Sequence, residues 1–342
     1  MNQLDIQSSE YSSDPTLSED AYFHTTVRLP DEKDASALQT FSYMGVADGV
    51  GSWREYGVDP REFSHRLMDE CRNILEEAAE GGGLLEALKF RQVIAPAQVM
   101  AQAYERVKAA NVIGSCTACI ALFDGIRHQL HFSNLGDSGI IVLRHIDSDV
   151  AGALKRDRKK SRLERTSDLQ VSFVSQQQLR SFNHPYQLGW TGEEIGKDEN
   201  TSFKSAKDSC TTSIHLRRGD IVIMATDGLF DNVDVDEICD IALDWEQRSG
   251  FIRGGDIAAR ERRWKMGNSL TNISEETIGE LAQKLCQRAR ENSLNSEVDS
   301  PFAMLAKEND IMWSGGMPDD CTVLALHIVG RDPRDTLDQV SK

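Results

Sequence analysis

Apolar residues gather in short runs bounded by glycine, proline and acidic residues. The runs Tyr22–Val27, Phe41–Ala47, Thr117–Phe123, Leu130–Asn134, Ile140–Arg144, Ile221–Ala225 and Thr322–Val329 have the length and β-branched content of strands. Between them, apolar positions recur at three- and four-residue spacing in Pro60–Ala79, Ala95–Asn111, Val235–Trp245 and Ser274–Asn292, which predicts helices. Pro60 suits a first helical position, with Asp59 before it as the cap. Strands follow one another in groups, and the helices come in pairs. That order predicts sheets with helices packed outside, not a strict βαβ alternation. No internal repeat is present.

The chain's 342 residues suffice to bury a full core. Its 38 basic and 55 acidic residues give a net charge of −17. Such a surface repels phosphate backbones and anionic membranes, which excludes nucleic acid as an expected partner. No apolar stretch reaches the roughly 18 residues a membrane span needs. Residues 1–17 are serine-rich, acidic and without arginine, so they are expected to be disordered and resemble neither a secretory nor a transit peptide. The expected location is therefore cytoplasmic, or mitochondrial if a transit peptide is missing.

Seven scattered cysteines suit a reducing compartment. Cys116 and Cys119 have metal-like spacing, but on a strand positions three apart face opposite ways, so both are expected in the core. Two stretches read as inserts: the basic run 155–165, expected to be a solvated loop or else a docking or import signal, and residues 246–270.

The chemistry lies at the strand boundaries. Asp48-Gly49 follows one strand in ADGVGSW, Asp227-Gly228 follows another in ATDGLFDN, and Asp137 follows a third in NLGDSG. The pairs Asp319-Asp320 and Glu19-Asp20 stand directly before strands. Strands lying side by side would gather these carboxylates, whose mutual repulsion calls for cations. Oxygen-only ligands select hard ions, Mg²⁺ or Mn²⁺.

The Glu19-Asp20 pair, Asp48-Gly49, GSCTA, NLGDSG, ATDGLFDN and PDDCTV together resemble the metal-dependent protein phosphatase 2C family, in its order and spacing. GVADGVGSWREYGVDP, FNHPYQL and ATDGLFDN resemble the branch that includes mitochondrial matrix phosphatases. The resemblance covers roughly residues 18–330 and leaves 331–342 as a tail. It implies an α+β fold, a central β-sandwich of two antiparallel sheets flanked by helix pairs, with a two-metal site at one end. It also implies a phosphoserine and phosphothreonine phosphatase acting through water activated by two Mn²⁺ or Mg²⁺ ions. Phosphoproteins would be its substrates, and a monomer is expected.

Carried over by the resemblance, Asp48 bridges both ions, Gly49 offers a carbonyl, Glu19 serves the second ion, and Asp227 and Asp320 complete the first. Asp20 supports from behind, and Asp137 and Asp231 match a weaker third site. The family often has His after the Asp-Gly and an Arg shortly before the Glu-Asp pair. Here the first position is Val50, and residues 8–18 contain no arginine. Arg54 is the candidate phosphate contact, Trp53 is expected in the core, and His65 is expected to pack on its helix. A weakly active phosphoprotein scaffold and a small-phosphoester hydrolase are the alternatives.

Overall fold

The computed structural model describes residues 18–30, 38–80, 93–145, 169–193, 203–250 and 275–329. In chain order the strands are β1 (Ala21–Pro30), β2 (Leu38–Ala47), β3 (Gly114–Cys116), β4 (Ala118–Asp124), β5 (Gln129–Leu135), β6 (Gly139–His145) and β7 (Leu169–Val174). They continue as β8 (Leu179–Ser181), β9 (His184–Pro185), β10 (Leu188–Trp190), β11 (Cys210–His215), β12 (Ile221–Ala225) and β13 (Val323–His327). The helices are α1 (Pro60–Glu80), α2 (Pro96–Ala109), α3 (Asp227–Phe230), α4 (Val235–Arg248), α5 (Glu275–Ser293) and α6 (Pro301–Glu308).

Two antiparallel sheets, ordered β1-β2-β4-β5-β11 and β13-β12-β6-β7, form the sandwich. Side chains alternate across each strand, so every central strand feeds two cores. Met44, Val46, Ala121, Val222, Met224 and Leu324 meet between the sheets. The opposite faces of β2 and β4 (Phe41, Tyr43, Ile120) pack under α1 and α2 with Phe63, Leu67 and Met100. Ile221, Ile223 and Val323 likewise pack under α4 and α5 with Trp245, Leu281 and Leu285. Each fully buried large side chain contributes roughly 1.5–3 kcal/mol.

Asp59 caps α1 as expected, its Oδ1 accepting from Arg61 N–H at 3.1 Å. Cys116 and Cys119 are buried free thiols in different cores, one under the helices and one between the sheets. The chain does leave strand geometry at Thr117 between them, so alternation alone did not separate the two.

Two expectations need correction. Residues 246–248 are no insert; they complete α4. Glu246 is wholly buried, with Oε2 2.7 Å from Nε2 of buried His145. Trp53 is only half-buried; it stacks on Phe203 and donates from Nε1 to Ser115 Oγ at 2.6 Å. Residues 1–17, the basic run 155–165, residues 251–270 and the tail 331–342 lie outside the described residues. No described helix is long and apolar enough to cross a membrane.

Candidate metal centre

Every acidic motif ends up at one end of the sandwich, because β2, β12 and the β5–β6 turn all reach it. The turn after β2 is fastened on both sides. Asp48 N–H donates to Thr117 Oγ1 (3.2 Å), Thr117 N–H donates to Asp48 O (2.9 Å), and Val50 N–H donates to Ser115 O (3.0 Å). Gly49 N–H donates to Glu19 O at 3.1 Å, bringing the strand-preceding pair against the turn. A Cβ at Gly49 would lie 2.6 Å from Pro60 O and 2.8 Å from Glu19 O, so only glycine fits there.

Three hydroxyls brace the site from behind. Thr226 Oγ1 donates to Asp20 Oδ2 at 2.7 Å and accepts from Thr322 N–H at 3.0 Å, which joins the ends of β12 and β13 to Asp20. Thr117 Oγ1 and Ser138 Oγ lie 2.8 Å apart, linking the β3–β4 junction to the β5–β6 turn. Asp20 Oδ2 is thus engaged by Thr226.

Ligand atoms of Asp48, Asp137 and Asp227 all lie within 4.8 Å of one another. Asp137 Oδ1 and Asp227 Oδ1 are buried without a hydrogen-bond partner. Buried polar atoms are seldom left so, and unpaired carboxylate oxygens converging on one point match the donor set of a hard divalent cation. Desolvation first, then Asp137, pushes Asp227 up to about 7. Asp137 is pushed up to about 6, again by desolvation first. Asp48 is raised well above the carboxylate range by desolvation, then by Asp227, Asp20, Asp319 and Asp137. Asp231 is raised by desolvation and then by Asp227, Asp137 and Asp319, so it too faces the cluster.

The Asp319-Asp320 pair divides differently from the expectation. Asp320 Oδ2 accepts from Glu19 N–H at 2.7 Å. After the leading effect of desolvation, the charge of Asp319 acts on Asp20, Asp48, Asp137 and Asp231. Asp320 instead acts on Glu19 and, least of the causes, on Asp20. The charge of Asp319 is thus felt across the cluster, its Oδ1 accepting from Asp320 N–H at 2.8 Å, while Asp320 ties down Glu19. Sequence reasoning named Asp320 rather than Asp319, and it missed the Thr226 and Thr117 braces. Their signal was a hydroxyl beside each motif, in ATDG and GSCTA.

Arg54 pairs with Glu19 and keeps its side chain 65% exposed. His65 Nε2 lies 3.1 Å from Ser18 O and donates to it, so the ring is engaged by backbone.

Gly228 has no room for a side chain, since a Cβ there would collide with the Asp320 carbonyl. Gly228→Ala should therefore force α3 away from the 319–320 segment. The expected result is a loss of at least about 2 kcal/mol by denaturant titration, together with weakened Mn²⁺ binding. Unchanged stability would mean that the segment yields freely.

A sandwich with helices on both outer faces and a carboxylate cluster at one end defines a candidate centre for divalent metal ions. The relatives make the class specific. The chain is 30% identical over 332 residues to 5-azacytidine resistance protein azr1 of Schizosaccharomyces pombe, covering 94% of this chain and 91% of that protein. It is 32% identical over 283 residues to the human protein phosphatase PTC7 homolog, covering 82% and 73% of the two chains. Among solved structures, the photosystem II phosphatase PBCP shares the fold with a TM-score of 0.55, at 21% identity and covering 91% of this chain and all of that one. No protein-family model matches the chain. The chain belongs to the metal-dependent protein phosphatase 2C family, in its PTC7 branch, and is a serine/threonine protein phosphatase.

Proposed function

We propose that Asp48, Glu19, the Gly49 carbonyl, Asp227 and Asp319 would together hold two Mn²⁺ or Mg²⁺ ions. The observation that carries this reading is the convergence of Asp48, Asp137 and Asp227 with orphaned oxygens on the last two. Ions bound there would lower the pKa of water and neutralise charge on a phosphoryl group. Asp137 and Asp231 extend the carboxylate set toward a further ion. Asp20, held by Thr226, and Asp320, holding Glu19, orient the ligands.

Arg54 would grip phosphoryl oxygens, since guanidinium suits bidentate contact with phosphate. The substrates are phosphoserine and phosphothreonine proteins. The full carboxylate set argues against the weak-scaffold alternative. Membership of the PTC7 branch supports a mitochondrial matrix setting, which organelle fractionation tests directly.

The ligand assignment is tested by Asp319→Asn beside Asp320→Asn. Calorimetric titration should find Mn²⁺ affinity reduced at least about tenfold in Asp319→Asn. Asp320→Asn should lose less, because its amide oxygen still accepts from Glu19 N–H. The reverse order would return the ligand role to Asp320.

A further inference from the structure

We propose that Asn232 is a positioning residue for the metal centre: its side-chain amide clamps α3, which carries Asp227, to the segment that carries Asp319. The proposal rests on the reading of Asp227 and Asp319 as metal ligands.

Neither of these two pieces can hold its own place. α3 is a single turn, Asp227–Phe230. Isolated helices shorter than about 12–15 residues are marginal in water, so its direction must come from bonds to its surroundings. Residues 317–320 belong to no helix or strand. Two carboxylates brought together on such pieces repel each other and would push them apart.

Three contacts in a row join the pieces. At one end Thr226 N–H donates to Thr322 O at 3.2 Å, and Thr322 N–H donates to Thr226 Oγ1 at 3.0 Å. In the middle Gly228 packs directly against the Asp320 carbonyl. At the far end stands the Asn232 side chain. Its Nδ2 donates to Gly228 O at 3.0 Å and to Met317 O at 2.8 Å, and its Oδ1 accepts from Met317 N–H at 2.8 Å. The clamp thus ties the residue after Asp227 to the residue two before Asp319.

The chemistry of the site calls for an amide. Two carbonyls need donors and one N–H needs an acceptor, which fixes both the residue type and the way its amide points. A carboxylate would bring no donor, and an aliphatic side chain would bring nothing. Asn232 is buried, so water would not replace the lost bonds. Binding both backbone groups of Met317 imitates one rung of a sheet, and Pro318 favours the extended backbone at Met317 that this needs. The clamp is also held from behind. Asn292 Nδ2, near the end of α5, donates to Asn232 O at 2.8 Å, and Gly316 N–H donates to Asn295 O at 3.0 Å.

Asn232→Ala should weaken Mn²⁺ binding at least about tenfold by calorimetry, the scale on which groups behind metal ligands act. Turnover of a phosphothreonine peptide should recover at saturating Mn²⁺, with KM for the peptide unchanged. Leu281→Ala removes a wholly buried side chain nearer the other end of α5. It controls for lost stability and should keep the wild-type affinity for Mn²⁺. Should Asn232→Ala not fold, Asn292→Ala removes only the rear bond and should show a smaller loss of the same kind. In an Asp319→Asn background, Asn232→Ala should cost far less than it does alone, because the clamp has one ligand fewer to place. Unchanged affinity in the asparagine variants, an equal loss in Leu281→Ala, or additive losses with Asp319→Asn would each overturn the proposal and leave the ligand reading standing. Full affinity in Asp319→Asn by itself would refute the ligand reading, and the clamp's role with it.

Discussion

Asp227→Asn and Asp48→Asn should each lower phosphatase activity at least about 10³-fold, the scale expected when a preorganised charge is lost from a reaction centre. An amide keeps the shape but not the charge that two dications require. The same substitutions should stabilise the metal-free protein at alkaline pH. In the fold, Asp227 is pushed up to about 7 and Asp137 up to about 6, against about 4 in the unfolded chain. The folded state therefore holds protons that the unfolded state releases. The stability tied to these groups is full below about pH 4 and is lost as pH rises through 6 and 7. Each proton retained only by the fold adds up to about 1.4 kcal/mol per pH unit to that decline. Denaturant titrations in chelator at pH 5 and pH 8 should find the wild type losing stability across the interval. Asp227→Asn should lose less, and Mn²⁺ should restore the wild type at pH 8. A flat profile in the wild type would mean that the cluster is already neutralised in some other way.

The second large effect concerns the leaving group. Val50 stands where a histidine acid is common in the family, and its backbone N–H is bonded to Ser115 O at 3.0 Å. A positioned general acid typically contributes about 10²–10⁴-fold. His65 does not replace it, because its Nε2 is engaged by the Ser18 carbonyl. Aryl phosphates, whose leaving oxygens need no proton, should therefore be turned over faster than phosphothreonine peptides by a factor within that range. The peptide kcat should lack a falling limb between about pH 6 and 8, where a histidine acid would lose its proton. Val50→His should raise alkyl turnover selectively. Equal rates on both substrates, with a bell-shaped profile, would locate a proton donor elsewhere on the chain.

The chain alone determined the layers and the location of the chemistry. Strands buried on both faces, such as IVIMA in β12, must read as unbroken apolar runs. Turns that bring backbone against backbone must carry glycine, so Asp48-Gly49 and Asp227-Gly228 were legible as paired motifs. Both physical requirements act within a few residues, which is why they are written locally. The edge strand β11 escaped notice because an edge faces water along one side and CTTSIH carries few apolar residues, whereas LQVSFV in β7 alternates apolar and polar positions over its first five residues.

Tertiary structure decided which carboxylates share the centre. Asp319 and Asp320 are chemically identical neighbours just outside β13, where strand alternation no longer dictates direction. Glu19 N–H, 301 positions earlier, captures Asp320, while Asp319 feels the charge of Asp227. Asp137 joined Asp48 and Asp227 only because β6 pairs beside β12 and Ser138 meets Thr117. Glu246 gave no sign of burial until α4 carried it against His145. In each case the deciding bond joins residues far apart in sequence, and no local pattern encodes which partner will arrive.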